Sequence, residues 1–139
     1  MNIFLIIAGF LNAAVAILHL GCIYFGAPWY RFFGAGEKMA KLAEQGSMQP
    51  TLITSGIVLL ISIWSLYAFS AAGIITRLPL THLALILITL IYFVRGIAGL
   101  FLINSPMGRS PEFWLLSSLV CLSFGMIHLV GLKQEWGNL

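Results

Sequence analysis

Residues 79–103 read PLTHLALILITLIYFVRGIAGLFLI, a run of apolar side chains interrupted by one guanidinium, Arg95. At 1.5 Å per residue, a helix of this length crosses a hydrocarbon layer of about 30 Å. At 100° per residue, His82, Leu85, Thr89, Tyr92, Gly96 and Gly99 fall on one side of that helix, with Arg95 at the margin. An arginine inside a span costs roughly 2.5–3.5 kcal/mol on insertion scales and therefore turns toward protein or water. The stretch thus reads as a membrane span with a polar, small-residue face, and the remaining segments must supply that face with neighbours.

The composition agrees. Of the 139 residues, 60% are hydrophobic and 8% charged, against about 25% charged in soluble domains. A soluble domain of this length cannot hide so much apolar surface, whereas a bilayer accepts it. Seven Lys and Arg face four acids, all of them glutamate, for a net charge of +3. That small excess suits orientation and headgroup contact rather than a nucleic-acid surface. Cys22 and Cys121 fit neither a zinc set nor a CxxC motif and read as small buried hydrophobes. The apolar run from Ile3 resembles a signal-peptide core, but no basic residue precedes it and the run continues to Phe25, so it is expected to be retained.

Working outward from 79–103, three further segments of spanning length appear at about 3–26, 51–70 and 112–132. The expected fold is an all-α integral membrane protein, a single domain over 1–139. Four transmembrane helices form the bundle, with a short amphipathic surface helix at about 37–45 between spans one and two. Both termini and the 71–79 turn then share one side, side A; the 27–50 and 104–111 loops share side B. Arg31, Lys38, Lys41 and Arg109 on side B against Arg77 and Lys133 on side A place side B in the cytoplasm and both termini outside. A bacterial inner membrane is the expected location.

Span one aligns Leu5, Ala8, Gly9, Asn12, Ala16, His19, Ile23 and Gly26, the small or polar pattern of a helix–helix face. Span two carries a hydroxyl stripe of Thr51, Ser55, Ser62 and Ser65, and span four aligns Trp114, Ser117, Cys121, Phe124, His128 and Gly131. In the 27–50 loop, Trp29, Tyr30, Phe32 and Phe33 around Arg31 read as an interfacial aromatic belt, followed by the flexible Gly34-Ala35-Gly36. Glu37 pairs with Lys41 at i,i+4 on the surface helix, which lies flat on the membrane or covers the bundle mouth. Ser110-Pro111-Glu112 has the chemistry of a helix start.

Rise per residue puts His19 and Arg95 at similar depth toward side B, with Ser55, Ser117 and Ser118 near that level. The expected ligand-binding layer is Arg95, His19, Ser55, Ser117 and Tyr92. The acids on side B that would serve as counter-charge are Glu37, Glu44 and Glu112. Three roles for Arg95 stand side by side: snorkelling to the interface, a structural ion pair, and an anchor for a carboxylate, phosphate or lipid headgroup. The leading function is a non-enzymatic membrane protein binding a lipid or amphipathic anionic small molecule. Alternatives are a membrane-embedded enzyme on a lipophilic substrate, with His19 as acid or base and Arg95 as stabiliser, and a subunit or assembly factor. In the last case small-residue faces such as Gly96 and Gly99 would pack on a partner, and an oligomer is equally open. His82 and His128 form the one pair able to ligate a b-type haem, although the default expectation is no cofactor and no metal. Membrane lipids are the expected partners, and nucleic acid is not.

Overall fold

The computed structural model describes residues 2–32, 37–104 and 111–139. Phe33, the 34–36 glycine break, and the 105–110 turn with Arg109 and the Ser110 cap lie outside the described residues. The chain is an all-α bundle of α1 (Ile3–Phe25), α2 (Ala27–Phe32), α3 (Glu37–Glu44), α4 (Gln49–Ala72), α5 (Thr81–Phe101) and α6 (Pro111–Glu135), with 3-10 turns at Leu102–Asn104 and Trp136–Asn138. Four of these, α1, α4, α5 and α6, are long and apolar enough to cross a membrane, and the protein is an integral membrane protein on that ground.

The ends of the helices follow from local chemistry. Asn2 caps α1, its Oδ1 accepting the Leu5 N–H at 3.1 Å. α4 starts with Pro50 in its first turn and ends at Gly73, whose φ of 87° lets Ile74 N–H return to the Phe69 carbonyl at 3.0 Å. The tight turn into α5 is pinned by Ser70, whose Oγ donates to the Thr76 carbonyl at 3.0 Å and accepts from Leu78 N–H at 2.9 Å. Leu80 completes it with a left-handed φ of 58°.

α1 packs on α4 and α5 on α6, two antiparallel pairs joined by α1 against α6 and α4 against α5. Lipid gives helices no hydrophobic reason to associate, so close packing and polar contacts must hold these seams. Gly9 receives the Phe69 ring, Gly131 receives Leu5, and Gly96 receives Leu122, each where a Cβ would collide. Ser65 Oγ also donates to the Gly9 carbonyl at 2.7 Å. Gly96 and Gly99 thus face α6 of the same chain, and their faces are filled from within. The core joins Leu5, Ala71, Ala72, Leu85, Ile88, Tyr92 and Leu132.

The 27–50 region differs from a plain aromatic belt. Residues 27–32 are helical, and Tyr30 turns inward, its hydroxyl 3.2 Å from Thr54 Oγ1. Trp29 stacks on Phe25 at 4.6 Å and covers Gly21, where a side chain would meet its indole. Ala40 of α3 closes a second cluster with Cys22, Ala27 and Tyr30. α3 rests on α2 and α4, on the α1–α4 half of the bundle.

Candidate functional site

Arg95 leaves α5 on the seam with α6. Its guanidinium carbon stands 4.9 Å above the Trp114 ring, and Nη2 donates to Ser117 Oγ at 3.3 Å. Gly99, one turn nearer side B, makes this route open: a Cβ there would stand 2.8 Å from Arg95 Nη1. Among the described residues, the buried Nη1 has no hydrogen-bond partner, and neither has Ser118 Oγ, which borders the same Gly99 position. Beside the stem of Arg95, the outer face of α5 holds an apolar groove of about 400 Å³ lined by Leu87, Leu90, Ile91, Val94 and Ala98.

Of the residues expected to form one polar layer, only Ser117 meets Arg95. Tyr92 turns into the bundle instead, where its ring meets Trp64 of α4 and Phe124 and His128 of α6. His19 returns its Nδ1 to the Val15 carbonyl of its own helix at 2.8 Å, and among the described residues no contact joins it to Arg95. Ser55 is exposed on the lipid-facing side of α4, where Thr54, one position earlier, is the buried hydroxyl. Equal depth did not imply equal azimuth: one residue of error turns a side chain through 100°.

The proposed counter-charges are elsewhere as well. Arg31 takes Glu37 through Nε at 3.1 Å and Nη2 at 2.9 Å, and takes Glu44 through Nη1 at 2.6 Å. Glu37 and Glu44 lie two turns apart on one face of α3, so a single planar fork spans both. The Arg31 bond to Glu37 holds that carboxyl below the usual carboxylate range, and the same two glutamates raise Arg31. Glu37 therefore has Arg31 rather than Lys41 as its hydrogen-bonded partner. Glu112 is exposed in the first turn of α6 and forms no ion pair with Arg95.

The contact that sequence reasoning missed lies near the middle of the bundle. Tyr92 Oη donates to Asn12 Oδ1 at 2.6 Å, Asn12 Nδ2 lies 3.0 Å from His128 Nε2, and His128 Nδ1 lies 2.7 Å from the Phe124 carbonyl. A carbonyl only accepts, so Nδ1 carries the proton and Nε2 accepts from the amide. Asn12 and His128 are fully buried, and the Tyr92 ring lies 5.2 Å from the imidazole. The chain of bonds joins α1, α5 and α6 across the bundle. Its signal was present in sequence: three bonding side chains on inward stripes, with an amide able to donate and accept at once.

The two histidines considered for haem have other partners. Both nitrogens of His128 are engaged as above. His82 Nε2 binds the Trp136 carbonyl at 2.8 Å, with the two rings 4.5 Å apart. Among the described residues there is no group of three or more His, Cys, Asp or Glu side chains that could hold a metal ion.

Comparison of the chain with family models, with curated proteins and with solved structures finds no match in any of the three.

Proposed function

We propose that the protein is a non-enzymatic membrane protein that binds an anionic lipid or related amphiphile on side B, with Arg95 as its anchor. One observation carries this reading: among the described residues, a cation inside a span meets no carboxylate. Of the four glutamates, Glu37 and Glu44 are held by Arg31, while Glu135 bonds Asn2 and Asn138 at the opposite end. Glu112 makes no ion pair among the described residues.

Magnitudes favour an external anion. Inserting the charge costs roughly 2.5–3.5 kcal/mol. A cation–π contact returns about 0.5–2 kcal/mol, and a hydrogen bond as long as that to Ser117 adds little. A charge-assisted hydrogen bond to an anionic head, worth about 1.5–3 kcal/mol, covers the remainder. The apolar groove beside the Arg95 stem supplies a path for an acyl chain. Ser117, Ser118 and Trp114 complete this site, while His19, Ser55 and Tyr92 lie outside it.

Arg95→Gln should abolish co-purification of anionic lipid, measured by native mass spectrometry from mild detergent, while helicity stays at the wild-type value. Unchanged lipid in the variant refutes the proposal. Side B is assigned to the cytoplasm from the lysine and arginine distribution, and reporter fusions at the C-terminus and in the 27–50 loop test it. A cytoplasmic C-terminus reverses the assignment.

A further inference from the structure

The depth of the guanidinium discriminates among anionic amphiphiles. The third span covers Thr81–Asn104, and its middle falls between Tyr92 and Phe93. Half of a hydrocarbon layer is about 15 Å, or about ten residues of helix, so its side-B boundary lies near Leu102. Arg95 Nη1 stands level with Gly99, which is about three residues, or about 5 Å, inside that boundary.

The phosphate of a glycerophospholipid belongs to the polar layer outside the hydrocarbon. It is set off from its acyl chains by the glycerol and two esters, so meeting Arg95 requires dragging that polar linkage into the apolar layer. The carboxylate of a fatty acid is attached directly to its single chain. It reaches this depth with only the charge that the guanidinium neutralises.

The groove has the matching shape. From Leu87 to Ala98 it runs along one face of α5 for about 16 Å, roughly one leaflet's depth, and its side chains are aliphatic apart from the Arg95 stem. It begins beside the cation and continues past the bilayer middle, as the chain of a carboxylate anchored inside the side-B hydrocarbon boundary must. At the guanidinium, the Ser117 contact of 3.3 Å is at the long limit of hydrogen bonding and exchanges readily for an oxyanion. Ser118, fully buried and with no hydroxyl partner among the described residues, offers a second donor next to Nη1.

Resting on the reading of Arg95 as an anchor for an anionic amphiphile, we propose that the ligand is a single-chain, long-chain carboxylate of the side-B leaflet. Its chain lies against Leu87, Leu90, Ile91 and Val94, and its carboxylate pairs with Arg95 and Ser118.

The test is saturable binding to the full chain in detergent, with isotope-labelled oleate and dioleoyl phosphatidylglycerol as probes, which share a chain and differ in the anion. One equivalent of oleate should bind, at least tenfold tighter than the phospholipid. Arg95→Gln should weaken oleate at least tenfold, and Ser118→Ala severalfold. Val94→Trp, at a lipid-facing position, should block the groove and weaken oleate as strongly without touching the cation. Phosphatidylglycerol binding as tightly as oleate, with both lost in Arg95→Gln, would overturn the carboxylate and leave the anchor standing. Oleate binding that survives both Arg95→Gln and Val94→Trp would overturn both.

Discussion

Replacing Tyr92 with phenylalanine removes one oxygen from the middle of the bundle and leaves the ring packing in place. The lost contact is the 2.6 Å bond to Asn12 Oδ1, between side chains that are 8% and 0% exposed. Interhelical hydrogen bonds in membranes average about 0.6 kcal/mol and reach about 1.7, because an unfolded chain in lipid finds other partners. Asn12 has no such freedom in the folded bundle. Its Oδ1 stays buried without a donor, and a stranded polar group costs about 1–3 kcal/mol. Tyr92→Phe should therefore destabilise by about 1–2 kcal/mol, near the top of the membrane range. Asn12→Leu strands both the Tyr92 hydroxyl and His128 Nε2 and should cost more, about 2–3 kcal/mol. Once Asn12 is gone the Tyr92 hydroxyl has lost its acceptor, so the second substitution should add little. The double-mutant cycle should show a coupling of about 1 kcal/mol. Reversible unfolding in mixed micelles, followed by circular dichroism, measures all three. Tyr24→Phe, at a residue 84% exposed, is the control and should change nothing. A Tyr92→Phe variant within about 0.3 kcal/mol of wild type, or a strictly additive cycle, refutes the bonded network as a stabilising element.

Gly9→Ala should destabilise by about 1–3 kcal/mol, since the new Cβ would stand 2.6 Å from the Phe69 ring on the α1–α4 seam; unchanged unfolding in the same assay refutes that close approach. The Arg31 clamp gives a pH dependence of definite sign. Arg31 depresses the Glu37 carboxyl, so the clamp's contribution is fully present above the unfolded value of about 4.3 and lost as pH falls through the lower folded value. Trp29 fluorescence should report loosening of α2 and α3 only in that acid range, and Glu37→Gln should remove this step; a transition near neutral pH would contradict the assignment.

The architecture was legible because lipid exposure imposes a 3.6-residue alternation of bulk and small or polar side chains. On α5, the sequence picks out Leu85, Thr89, Tyr92, Gly96 and Gly99 as inward-facing, and all are buried. His82 departs from that set because it lies one residue into the helix, where its ring is captured by Trp136. On α1 the stripe holds through Ala16, then passes to Cys22 rather than Ile23, where α2 and α3 fold against it. The site was less legible. Depth along each axis follows from counting residues, but rotation about the axis is set by packing. Adjacent hydroxyls therefore exchanged places: Thr54 is buried where Ser55 was expected, and Ser118 lies deeper in the seam than Ser117. The glutamates went astray for another reason. An i,i+4 rule looks along one helix, whereas Arg31 reaches α3 from α2 and takes both carboxylates.

Arg31 and Arg95 carry the same donor fork into different solvents, and the chain treats them in opposite ways. Arg31 is 40% exposed at its side chain, where water already screens it, yet it holds two carboxylates. Such exposed, solvent-screened pairs contribute little to stability, so their main effect is geometric: they fix α3 against α2. Arg95, where an ion pair would matter far more, is given an indole face and a serine hydroxyl. A glutamate beside Arg95 would need desolvating in its own right, and the resulting pair would close the fork to any other anion. Among the described residues, neutral neighbours hold the cation in position and no carboxylate meets it. That distribution is wasteful for a structural ion pair. It is what a site requires if its anion arrives from the membrane, and the acids' placement thus bears on function more directly than the depth of the arginine alone.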